Sequence, residues 1–169
     1  MLIIIDTDAV RKNYPNPSQD QNYPTAIDHN LAYMVAAEMK VTFGKGTGDS
    51  DNPALGDHTV RVFATSGSNN FEDAVLLYPL PRFQGDQVLN NFEHKYVREW
   101  TVAPNSEHSV VPAKILEEDF WFYQADVSDI VSGGYMVQFA LYVRDNDGKP
   151  LLFGFFAWDL TITVAEQKA

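Results

Sequence analysis

The chain begins with a short apolar strand that leads directly into a long segment unable to form regular structure. Ile3–Ile5 is a β-branched run of the kind found in buried strands. The next segment, 6–31, contains three prolines among many Asn and Asp residues. Proline lacks a backbone donor, and Asn and Asp favour turns, so we expect an irregular loop with one helical turn at Val10–Asn13 after Asp8 as N-cap.

Most of the remaining chain alternates apolar and polar residues at the two-residue period of β-strands. Almost no helical periodicity is present, and Asp145–Gly148 is a typical hairpin turn. This pattern predicts an all-β fold: a single-domain antiparallel β-sandwich over residues 1–169, with a long irregular N-terminal loop. The predicted strands are Tyr33–Phe43, Thr59–Thr65, Asp73–Leu80, Val88–Trp100 (one strand or a pair of strands), Phe120–Tyr123, Tyr135–Val143 and Leu151–Val164.

The alternation also predicts which side chains face the core. In the strand at 33–43 we expect Tyr33 and Val35 on the buried face. In the strand at 59–65 we expect Val60, Val62 and Ala64 to be buried.

The overall charge excludes some classes of partner. The chain has 169 residues, 12 Lys and Arg against 23 Asp and Glu, and a net charge of −11. Because nucleic acids and anionic membranes are bound through clustered basic residues, we exclude both as default partners.

The absence of cysteine excludes disulfides, thiolate nucleophiles and Cys-ligated zinc. The apolar start is too short for a signal peptide, and no run approaches the ~20 apolar residues of a membrane helix. We therefore expect a cytoplasmic protein without membrane insertion, with signal-independent export as an alternative.

No catalytic signature is present. The chain lacks the Gly-x-Ser-x-Gly elbow of serine hydrolases, and its histidines lack the spacing of a metalloprotease helix. We therefore expect no enzymatic activity, no catalytic residues, no metal centre and no cofactor.

The strongest polar candidate for a binding site combines the end of the first strand with the returning loop. It consists of Asp6, Asp8, Asp28 and His29. Carboxylates and an imidazole can bind ligands or transfer protons. The favoured alternative is structural, since Asp side chains in turn-rich segments accept hydrogen bonds from backbone amides.

A second candidate is the aromatic strand near the C-terminus. In Leu151–Trp158 both faces carry large apolar groups, whereas a strand with one wet face should alternate. We therefore expect the second face to be covered by the N-terminal loop or by another subunit. The candidate residues for self-association, or alternatively for an aromatic core, are Phe153, Phe155, Phe156 and Trp158.

Several segments together resemble the PixA/AidA family of bacterial inclusion-body proteins. The resemblance extends over nearly the whole chain. It implies a small bacterial protein of a family whose members include proteins of cytoplasmic inclusions and of host-associated or density-regulated behaviour. The segments that carry it are Ile5–Asp8, Tyr14–Asp20, Pro24–His29, Phe139–Tyr142 and Gly154–Ile162.

These observations lead to two hypotheses about function. The first is a non-enzymatic protein that self-associates as a homo-oligomer and serves in storage or in interaction with a host or competitor. The alternative is a lectin-like β-sandwich module that binds a small molecule or glycan at a loop-end site near Asp28 and His29.

Overall fold

The computed structural model describes residues 1–35, 52–55, 59–129 and 131–165. It consists mainly of strands, with one α-helix and one short 3-10 helix in the described part. In chain order the elements are β1 (Leu2–Ile5), α1 (Thr7–Asn13), β2 (Thr25–Ala26), the 3-10 helix (His29–Leu31), β3 (Ala32–Val35), β4 (Asn52–Leu55), β5 (Thr59–Ser66), β6 (Ala74–Tyr78), β7 (Arg82–Gly85), β8 (Glu93–Ala103), β9 (Lys114–Asp126), β10 (Ser132–Arg144) and β11 (Pro150–Ala165).

The strands form two sheets that share one core. The first sheet has the order β3-β1-β5-β9-β8, and the second has the order β2-β11-β10-β6, with β4 also paired to β11 and β7 to β10. The predicted all-β sandwich is confirmed. Three pairs are parallel, namely β1 with β5, β11 with β2 and β11 with β4. Both sheets are therefore mixed, which hairpin signals in the sequence do not indicate.

Large apolar side chains from both sheets fill the space between them. Ile3 and Val62 come from the first sheet, and both are fully buried. In the second sheet, Phe139 stacks on Phe156 at a centroid distance of 5.3 Å and meets Trp158 edge-on at 5.9 Å. Burial of such side chains is the main stabilising contribution to a sandwich of this kind.

The predicted faces are correct for one strand and wrong for another. Val60, Val62 and Ala64 are buried as expected. In contrast, Tyr33 and Val35 are exposed.

The reason for the error is the pairing of β3 with β1. In this antiparallel pair Met34 lies opposite Ile3, and directly opposed residues share a face. Since Ile3 belongs to the core, Met34 and Ala32 face inward and Tyr33 faces out. The remainder of the predicted strand, 36–43, lies outside the described residues.

The N-terminal segment contains more helix than predicted. Helix α1 begins at Thr7 rather than after Asp8, and its N-cap is Asp6, whose Oδ1 accepts a hydrogen bond of 3.0 Å from the Ala9 amide. Val10 is fully buried, so the helix is held by its apolar side as well as by its cap.

The segment after the helix lies along the edge of β11. The Phe155 amide donates to the Ser18 carbonyl at 2.9 Å, and Gln19 Nε2 donates to the Phe153 carbonyl at 2.7 Å. Gly154 faces Pro17 so closely that an added Cβ would collide with the proline ring. The glycine therefore allows the loop to approach the strand.

The predicted hairpin turn at Asp145–Gly148 is confirmed. It connects β10 to β11, with Arg144 opposite Pro150. The Asp145 Oδ1 accepts hydrogen bonds from the amides of Asp147 at 2.9 Å and Lys149 at 2.8 Å. Gly148 has a φ of +76°, which favours glycine.

We expect Gly154→Ala to destabilise the protein by roughly 1–3 kcal/mol, because the new methyl group would overlap the Pro17 ring. Urea unfolding would measure this change. The matched control is Gly67→Ala, where the nearest atom to an added Cβ is 4.0 Å away. An equal effect of both substitutions would contradict the packing role of Gly154.

Candidate functional site

Asp6 and Asp8 lie at the start of helix α1. Asp6 is its N-cap, and Asp8 is exposed in its first turn, where a negative charge is favourable for the helix dipole. Both line a groove of about 350 Å³ beside Arg11 and Ser68. The contact described for the Asp6 carboxylate is thus structural, as the favoured interpretation of the sequence expects.

An ion pair lies at one side of this groove. Arg11 Nη1 is 3.1 Å from Oδ2 of Asp73, a residue that is buried. A buried carboxylate requires such a partner, because its desolvation is costly. The pair holds α1 against the turn before β6. The Arg11 guanidinium that lines the groove is therefore already paired with Asp73.

Asp28 and His29 lie at the 3-10 helix, and the pairing partner of His29 is distant in sequence. His29 Nε2 is 2.8 Å from Oδ1 of Asp159 on β11. The Asp28 amide donates to Tyr14 Oη at 3.1 Å. The first contact attaches the returning loop to the second sheet, and the second attaches it to the end of α1.

The four predicted residues do not form a common metal site. In the described ranges no three His, Asp or Glu side chains lie close enough together to hold a metal ion. The Asp6 side chain serves α1, and the His29 side chain reaches Asp159. A ligand site at Asp28 and His29 therefore stays a prediction.

The aromatic strand near the C-terminus is covered within the chain. Phe156 and Trp158 belong to the core, and Phe153 stacks on Phe156 at 6.2 Å. Phe155 points to the opposite face, where Tyr78 meets it edge-on at 5.7 Å.

The N-terminal segment reaches this opposite face as well. Tyr78 Oη donates to the Gln21 carbonyl at 3.2 Å, and Ser18 bridges to Phe155. Of the two covers that the sequence leaves open, the structure shows the N-terminal loop. Phe156 and Trp158 are thus core residues, and self-association through Phe153 and Phe155 stays a prediction.

A different part of the protein exposes large apolar side chains. β9 pairs with β5 only over Tyr123–Asp126, and the rest of β9 pairs with β8 alone. We call residues 95–122, the two-stranded part of this hairpin, the arm. Where the arm separates from β5, a groove of about 420 Å³ opens, lined by Phe63 and Phe120 among others.

The apolar face of the arm continues the face that covers the core. Tyr123 lies opposite Val62 of the core and opposite His94, so these three residues share a face. Every second residue along β8 then lies on this face, including Trp100 and Val102. Further from the sandwich, no strand of the second sheet in the described part of the chain covers this face.

The exposure of these side chains is large. Trp100 is 70% exposed, Val102 is 67% exposed and Ile115, directly opposite Val102, is 69% exposed. The sequence prediction missed this feature because it ended one strand at Trp100 and began the next at Phe120. Alternation continues past Trp100 only to Val102, and the sequence from Lys114 to Asp119 does not alternate, so spacing alone could not reveal the full length of the two strands.

We expect Asp6→Ala to lower the free energy of unfolding by about 1 kcal/mol, because α1 loses its cap. Asp6→Asn should cost much less, since asparagine also caps helices. Urea unfolding of the two variants would measure the difference. Equal loss in both would indicate that the carboxylate charge, rather than the cap, is what the fold requires.

Burial raises the pKa of Tyr78 to about 12, above its ordinary value of about 10. Between these pH values the unfolded chain loses the phenolic proton while the folded chain keeps it, so stability falls as pH rises from about 10 to about 12. We expect Tyr78→Phe to reduce this fall while losing the bond to Gln21 at neutral pH. Unfolding curves from pH 8 to 12 would measure it; identical slopes in both proteins would contradict the assignment.

In the part of the chain that the structure describes, no helix is both long and apolar enough to cross a membrane. The search of curated proteins found no match. Among solved structures, the chain is similar to an inclusion body protein of the PixA family from Burkholderia cenocepacia J2315, with 25% sequence identity and a TM-score of 0.82. The alignment covers 97% of this chain and 93% of that one.

A family model described as PixA, inclusion body protein, matches residues 1–164. This match spans nearly the whole chain, and the similar crystal structure has the same fold over the same extent. The resemblance found in the sequence is thereby confirmed. The protein belongs to the PixA family of inclusion body proteins.

Proposed function

We propose that this protein acts without catalysis, through reversible association of folded copies, and serves a bacterium in storage or in interaction with a host or competitor. Family membership supports a role through assembly, since the family and the Burkholderia cenocepacia relative are described as inclusion body proteins. A cytoplasmic location and the lectin-like alternative stay predictions.

The observation that carries this proposal is the exposed apolar face of the arm. Trp100, Val102 and Ile115 lie close together on it, and each is more than half exposed. Burying apolar area yields roughly 25 cal/mol per Å², and contiguous exposed apolar patches on folded proteins commonly mark contact surfaces. These side chains give the arm an exposed apolar patch that contact with a second copy would bury.

The non-enzymatic part of the proposal is supported by how the polar groups are used. Active sites commonly gather groups with displaced pKa values in one cleft. In the described part of the chain, groups with displaced pKa values include the N-terminal amine and three tyrosines, Tyr78, Tyr96 and Tyr123. Burial is the first cause for all of these except Tyr96, where a hydrogen bond to Asp119 raises the pKa.

We expect the average mass of the wild-type protein to rise reversibly with concentration in sedimentation velocity or light-scattering measurements. The double variant Trp100→Gln, Val102→Gln should shift this rise to at least tenfold higher concentration, because two exposed apolar contacts are lost. Its thermal unfolding should be little changed, since both side chains are exposed in the single chain.

The matched control is Phe71→Gln, which removes a large side chain that is also mostly exposed but lies outside the arm. It should associate like the wild type. A wild-type protein that stays monomeric over the whole concentration range would contradict the proposed function.

A further inference from the structure

We propose that two copies of this chain pair antiparallel through strand β8, around a two-fold axis at Val97. This inference rests on the proposed self-association and names its interface. The partner of the β8 edge is then the β8 edge of a second copy, and the two hairpins form one continuous four-stranded sheet.

β8 is the last strand of the first sheet, and no described strand pairs with its outer edge. Among the described strands it pairs only with β9, in one unbroken register from Glu93 to Ala103. It has no proline, which would remove a backbone donor. An edge strand of this length presents a row of backbone donors and acceptors to another strand.

The architecture of the arm favours an added strand. Two-stranded ribbons are only marginally stable on their own, and three or more strands are generally needed. Over Lys114–Phe122 the strand β9 has β8 as its only described partner. Pairing of β8 with its own copy places each ribbon in a four-stranded sheet.

The charges of β8 favour this register. In antiparallel pairing centred on Val97, residue numbers of opposed partners sum to 194, so Lys95 of each copy faces Glu99 of the other. Opposite charges in such cross-strand positions are stabilising. Two symmetric ion pairs thus flank the axis.

The same arrangement gives Glu99 an oppositely charged neighbour, which it lacks at the directly opposed position of its own chain. Glu99 lies directly opposite Glu118 on β9, and like charges at opposed positions are destabilising. The second copy brings a lysine, Lys95, to the other side of Glu99. Within its own chain Lys95 contacts Glu93 at 2.5 Å, and its stem remains on the same face as Glu99.

Other registers with long overlap do not give this match. A centre at Tyr96 would place Glu93 opposite Glu99. A centre at Arg98 or at Glu99 would place that residue opposite its own copy. A centre at Trp100 places no two charged residues opposite each other. Only the Val97 centre is therefore favoured by charge.

The same register gives the exposed face of the arm new neighbours. It places Trp100 opposite His94 and Tyr96 opposite Arg98 of the second copy. A guanidinium over a tyrosine ring is a favourable cation–π contact. The Arg98 side chain retains its ion pair of 3.2 Å with Asp119 of its own chain.

The first test reverses charges and measures the dissociation constant by sedimentation velocity. Lys95→Glu and Glu99→Lys each oppose like charges twice and should weaken association roughly tenfold or more. The double reversal Lys95→Glu, Glu99→Lys restores opposite charges and should recover most of the affinity. Lys149→Glu, an equal charge change at the β10–β11 turn, is the control and should have little effect.

The single variant Glu99→Lys also separates folding from association. It replaces the Glu99–Glu118 repulsion with an attraction, so the hairpin should be at least as stable as in the wild type. Weaker association together with unchanged or higher thermal stability therefore identifies the interface rather than misfolding.

The second test uses the absence of cysteine in the chain. In the proposed register the two Val97 Cα atoms lie about 4.5–5.5 Å apart, so Val97→Cys should form a covalent dimer on oxidation or with a short bismaleimide. Two Glu99 Cα atoms lie about 14 Å apart, so Glu99→Cys alone should not. A mixture of Lys95→Cys and Glu99→Cys should crosslink.

The outcomes separate this inference from the proposed function. Association in the wild type, with rescue by the double charge reversal and crosslinking at Val97, supports both. Association that is insensitive to these charges, with no crosslink at Val97, overturns the β8 interface while self-association stands. A monomeric wild type overturns both.

Discussion

The pairing of β10 with β11 is the contact on which most of the structure depends. It runs from Ser132 opposite Thr163 to Arg144 opposite Pro150, and the Asp145 turn closes it. β11 then supplies the edge to which the N-terminal segment, β2 and β4 attach. Without this hairpin neither the aromatic core nor the covering loop would have a support.

This dependence explains why the aromatic strand is covered within the chain. Once Phe156 and Trp158 are placed in the core, Phe155 must point to the other face. The N-terminal segment follows β11 and shields that face, with Gly154 allowing its close approach. A separate exposed apolar surface lies on the arm, where β9 no longer pairs with β5.

The sequence predicts local features well where a single rule decides them. The Asp145–Gly148 turn and the buried face of β5 follow from turn chemistry and alternation. The prediction of which face of β3 is buried was wrong, because pairing with β1, a tertiary contact, determines that face. The His29–Asp159 pair and the extent of the arm likewise depend on contacts between distant segments, which spacing along the chain cannot show.

Net charge and local charge pattern act at different ranges in the proposed assembly. A charge of −11 keeps copies apart at a distance, but salt screens this repulsion beyond about 8–10 Å. Ion pairs between Lys95 and Glu99 act only once two strands are in contact. The charges on β8 disfavour most other registers of pairing. The residues that protect this edge from unspecific pairing therefore also select a copy of the same strand as its partner.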